Sequence, residues 1–111
     1  MNWIELTSAD QLEKIKQASK EKPQVIFKHS TRCSISSMAK ARLNKSDELK
    51  NAEFYHLDLI AHRALSSKIA EDFKVYHESP QVLVIKNGAC VYDESHYGIT
   101  VDQLTEQLGN N

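Results

Sequence analysis

The chain has 111 residues, 41% of them hydrophobic and 26% charged, which fits one soluble domain built on one core. A formal net charge of -1 offers no electrostatic case for nucleic acid or an anionic membrane, and no apolar run approaches transmembrane length. The start, Met1-Asn2-Trp3-Ile4-Glu5, lacks the basic-then-apolar order of a secretory signal; with only two cysteines, a reducing cytoplasm is the expected location.

Ser8 opens a capping box with Gln11 three residues on, so a first helix is expected from about Ala9 to Ser19, with Leu12 and Ile15 facing inward. Glu21-Lys22-Pro23 ends it. Gln24 to Lys28 reads as a strand, and its apolar run Val25-Ile26-Phe27 does not alternate, as expected when both faces are covered. A tight turn carrying Cys33 follows. A helix from Ser34 to about Asn44 then presents Ile35, Met38, Ala39 and Leu43 as its apolar positions.

Glu53 to Leu59 reads as a second strand, and Leu65, Ile69 and Phe73 mark a third helix. The acidic pairs Asp47-Glu48 and Glu71-Asp72 read as solvated helix surface. Glu78-Ser79-Pro80-Gln81 leads into the apolar strand Val82 to Lys86. Asn87-Gly88 then supplies the two positive-φ residues of a type I′ hairpin, with Ala89 to Asp93 returning. Thr100 and Gln103 cap a last helix that buries Leu104 and Leu108, and Gly109-Asn110-Asn111 reads as a frayed end. The order α-β-α-β-α-β-β-α predicts a single α/β domain over residues 1–111, with a central mixed four-stranded sheet and helices on both faces.

The chemistry concentrates at Cys33. A cysteine where a buried strand turns into a helix meets the orphan N–H groups and positive dipole end of that helix, which favour a thiolate, and Arg32 beside it adds positive charge. His29 is a second candidate for tuning the thiol by charge. Ser36 could donate a hydrogen bond to it from the first helical turn. Pro80 is expected to form a cis peptide bond. His29 and Cys33 stand four apart, but no second ligand pair completes a zinc site.

The element order, the cysteine at the first strand-to-helix turn and the proline before the hairpin together resemble the thioredoxin fold over nearly the whole chain. Within it, Phe27-Lys28-His29-Ser30-Thr31-Arg32-Cys33-Ser34-Ile35-Ser36 closely resembles the YtxJ-type monothiol bacilliredoxins, as do Trp3 and Ser79-Pro80. The resemblance implies a cytoplasmic, stress-response thiol–disulfide oxidoreductase that removes bacillithiol from bacillithiolated proteins. Bacillithiol would be its co-substrate, with no tightly bound cofactor. Cys33 matches the nucleophile, and Ser36 stands where dithiol relatives carry a resolving cysteine. Ser34 stands where some relatives have proline, Ser79 precedes the proline that meets substrate, and Arg32 could pair with the malate carboxylates of bacillithiol. The alternative is an iron–sulfur carrier of the monothiol glutaredoxin type. Those relatives carry Cys-Gly-Phe-Ser, whereas Ser34-Ile35 here lacks their glycine.

The hairpin also places the second cysteine. A two-residue turn at Asn87-Gly88 pairs Cys90 with Ile85, five residues from Pro80 along the strand. That is roughly 16 Å at the rise of a strand. A disulfide needs Cα atoms within about 7 Å. No Cys33–Cys90 bond is therefore expected within one chain, and Cys90 reads as a small apolar strand residue.

Overall fold

The computed structural model describes residues 2–46, 49 and 51–109. The expectations for Asp47-Glu48 and Asn110-Asn111 lie outside them. The described chain forms β1 (Trp3–Glu5), α1 (Ala9–Ala18), β2 (Gln24–His29), α2 (Ser34–Asn44), β3 (Glu53–Asp58), α3 (Arg63–Phe73), β4 (Gln81–Lys86), β5 (Ala89–Ser95), a 3-10 turn (His96–Gly98) and α4 (Val101–Gly109).

The sheet has the order β1-β3-β2-β4-β5, so it holds five strands rather than the expected four. The added strand is β1, which pairs in parallel with β3 from Trp3↔Phe54 to Glu5↔His56. β2 pairs in parallel with β3, while β4 runs antiparallel to both β2 and β5. The central strand β2 is buried from end to end, which explains why its sequence shows no alternation.

Each face carries its own core. Leu12 and Ile15 of α1 and Leu65, Ile69 and Phe73 of α3 pack with Ile26, Tyr55, Leu57, Leu83 and Ile85. On the other face, Ala39 and Leu43 of α2 and Leu104 and Leu108 of α4 pack with Val25, Phe27, Phe54, Val82 and Val84. Local signals set the element ends. The Ser8 N–H donates to Gln11 Oε1 at 3.1 Å, and the Gln103 N–H to Thr100 Oγ1 at 3.2 Å. Asn87 and Gly88 both take positive φ, 53° and 79°, as a type I′ turn requires.

Two further expectations are corrected. α2 buries Ser36, Ala39 and Leu43, while Met38 stays 54% exposed. The helix is turned so that a serine, not Met38, faces the sheet. Asp72 is not plain solvated surface either. It bridges α1 and α3, accepting from Lys16 Nζ and Lys68 Nζ at 3.2 Å each. Burial pushes its carboxyl upward, but the hydrogen bonds from Lys68 and Lys16 outweigh that and hold it below the usual range.

Candidate active site

The turn between β2 and α2 is closed by its own backbone. The Cys33 N–H donates to Ser30 O, and the Ser37 N–H donates to Cys33 O, both at 3.1 Å. Cys33 is thus the N-cap of α2, with extended φ/ψ of -106° and 123°. It is half-buried and free of any disulfide. Arg32 and Ser34 on either side are exposed.

Ser36 is fully buried in the first turn of α2. Its Oγ accepts from the Ser30 N–H at 3.0 Å and lies 2.6 Å from His29 Nδ1. Both partners belong to the strand side of the turn. Ser36 therefore ties the start of α2 back to the end of β2, and His29 reaches the site through it. His29 is itself buried, stacked on Phe27 with ring centroids 5.8 Å apart and 5.2 Å from the His56 ring. Burial, then His56 and Lys40, push its pKa below the ordinary value against a smaller opposing pull from Asp58. Neutral imidazole suits a hydrogen bond of either sense with Ser36.

The Ser79–Pro80 peptide bond is cis, as the sequence predicts. The pairing Lys28↔Gln81 puts Pro80 at the register position opposite His29, at the end of the sheet where the cysteine turn leaves. Pro80 O accepts the His96 N–H at 3.0 Å, which ties this loop to the segment after β5. The Ser79 Oγ is buried with no partner among the described residues.

Sequence reasoning passed over Lys28, although it is the most unusual polar residue at this end of the sheet. It is fully buried, and its Nζ donates to Ser66 O at 3.2 Å and meets His77 Nδ1 at 3.4 Å. The signal was present: a lysine closing an apolar run on a strand covered on both faces has no route to solvent.

Cys90 lies elsewhere. It pairs with Ile85, as the hairpin predicts, and packs against the α1–α3 core. Burial first of all pushes its thiol up to about 11, and its S–H donates to the Tyr92 carbonyl at 3.3 Å. Among the described residues no group of three histidine, cysteine or acidic side chains could hold a metal ion, and no helix is long and apolar enough to cross a membrane.

Comparison with known proteins accords with this arrangement. The family model described as monothiol bacilliredoxin BrxC matches residues 4–104. A solved structure of a thioredoxin-fold protein described as a candidate oxidoreductase is 36% identical; the match covers 93% of this chain and 90% of that one, with a TM-score of 0.80. Fasciola hepatica thioredoxin is 22% identical, with 95% of each chain covered and a TM-score of 0.74. Trypanosoma brucei brucei thioredoxin is 15% identical, with 98% of this chain and 89% of that one covered and a TM-score of 0.77. The last two likenesses bear on the fold alone.

Proposed function

Since the chain belongs to the monothiol bacilliredoxin family and has the thioredoxin fold of a thiol oxidoreductase, we propose that it removes bacillithiol from mixed disulfides on protein cysteines, with Cys33 as the attacking thiol. One observation carries this reading. Cys33 stands half-exposed at the start of α2, while the second motif position is a buried, hydrogen-bonded serine. The site thus offers one sulfur and no intramolecular partner. Cys90 does not supply one, because its strand pairing places it toward the far end of β4 from Pro80.

The exchange is balanced without an external oxidant. The Cys33 thiolate attacks the bacillithiol sulfur of a protein–bacillithiol disulfide; a new S–S bond forms, the old one breaks, and the protein leaves as its thiolate. A second thiolate, from free bacillithiol, then attacks the bacillithiol sulfur held on Cys33. Cys33 is released and bacillithiol disulfide is the product. Bacillithiolated proteins and bacillithiol are the proposed partners, and a reducing compartment such as the cytoplasm is where such a pair of free thiols persists.

Within this reading the protein's own groups set the stage. Ser36 and Ser30 fix the turn that presents Cys33, His29 anchors Ser36 to the sheet, and the Ser79–Pro80 loop offers its backbone to the incoming chain. Intact-mass analysis tests the reading directly, using reduced protein mixed with a bacillithiolated model substrate. Wild type is expected to gain one bacillithiol at Cys33 as the substrate loses its adduct, and Cys33→Ala to do neither. A substrate that stays blocked in the presence of wild type would refute the transfer.

A further inference from the structure

A buried charge needs an opposite charge or a strong hydrogen-bond cage, because removal from water costs several kcal/mol per ion. Lys28 has no carboxylate partner among the described residues. Burial lowers its pKa only to about 8, so it still carries a proton at neutral pH. Its two partners, Ser66 and His77, form the wall of an open pocket of about 310 Å³ that is also lined by Leu59, Arg63 and Ser67. The ammonium is therefore bonded to two residues of a cavity that is also lined by a guanidinium-bearing arginine and a second serine. The acid next in sequence, Glu78, is turned to His96 Nε2 at 3.6 Å.

The pocket also sits at the right end of the molecule. The Leu59 N–H donates to His29 O at 3.0 Å, so its wall is bonded to the strand from which the cysteine turn departs. His77 lies three residues before the cis proline. The volume suits a small ligand group rather than a folded partner.

We infer that this pocket, between α3 and the segment leading to Pro80, binds the carboxylate end of the small thiol that Cys33 exchanges with. The inference rests on the proposed function for the identity of the thiol, since bacillithiol carries malate carboxylates. A carboxylate there pairs with Arg63, accepts from Ser67, and supplies the counter-charge that Lys28 lacks. The pocket would then distinguish this thiol from uncharged ones.

The test uses malate as the probe, because malate has no sulfur and cannot react with Cys33. Titrated into the reduced protein, it should give saturable amide shifts at Ser66, Ser67 and His77, with succinamide giving none. Affinity should fall at least tenfold in Arg63→Gln and in Lys28→Met. Arg63 is exposed, so its variant decides the matter if Lys28→Met does not fold. In parallel, the ratio of the rates with bacillithiol disulfide and with uncharged hydroxyethyl disulfide should fall at least tenfold in Arg63→Gln. Absent or scattered malate shifts, or an unchanged ratio, would overturn the pocket. Malate bound without any bacillithiol adduct on Cys33 would overturn the assignment to that thiol, whereas an adduct without malate binding would overturn the pocket alone.

Discussion

A lysine whose side chain is wholly buried gives up the hydration of its ammonium, and Lys28 recovers two hydrogen bonds in exchange. Its pKa falls from 10.5 to about 8 for that reason. Between those values the unfolded chain binds more protons than the folded one, so this residue makes stability rise with pH across that window. Below about pH 8 the full penalty is present, on the order of 3 kcal/mol. Replacing Lys28 with methionine keeps the volume and removes the charge, and is expected to stabilise the fold by roughly 1–2 kcal/mol at pH 7. Urea unfolding of both proteins at several pH values checks this: the gap should narrow from pH 8 to pH 10.5. A gap of constant size would mean that Lys28 is not the titrating group. Cys33 and Pro80 were legible because a turn cysteine and an X-Pro bond announce themselves within a few residues. Lys28 and the Ser36–His29 pair were not, because their meaning depends on what lies across the sheet.

At the scale of elements, local chemistry explains most boundaries. The clearest case is the hairpin between β4 and β5, where Gly88 has φ of 79° and a Cβ there would meet nothing within 4 Å. A Gly88→Ala substitution thus carries only a backbone cost, about 1–2 kcal/mol for a left-handed residue. A similar loss of unfolding free energy without change in the fold is expected by urea titration. β1 was missed for the opposite reason: three residues are too few to show a period, and only its pairing with β3 makes them a strand. α2 was found at the right place with Ala39 and Leu43 inward as expected, but Met38 was misassigned to the buried face and Ser36 was left off it. Counting apolar side chains favoured Met38, whereas the sheet offers Ser36 a pair of hydrogen-bonding groups that no methionine can use.

For the molecule as a whole, the sheet divides the two cysteines as it divides the two cores. Cys33 opens α2, whereas Cys90 packs with the α1–α3 side near the hairpin turn. With its thiol pushed from 9.0 to about 11, Cys90 holds roughly a hundredfold less thiolate at pH 7.5. Because each thiolate is then about tenfold more nucleophilic, the native protein should react with iodoacetamide at this site roughly tenfold more slowly than in denaturant. Mass-resolved alkylation would check this, and equal rates in the two conditions would show that the hairpin end of the sheet is open. Labelling could then be confined to Cys33 without replacing Cys90.

The edge strand β1 carries the chain's single tryptophan. Trp3 lies 5.7 Å from the Phe27 ring and 6.1 Å from that of Phe54, and its indole N–H donates to Asn44 Oδ1 at 2.6 Å. The protein thus contains a built-in optical reporter on its outermost parallel strand. Detachment of that strand alone would red-shift the emission while the rest of the sheet kept its far-ultraviolet dichroism, so two spectra taken on one sample can separate fraying of the edge from loss of the fold.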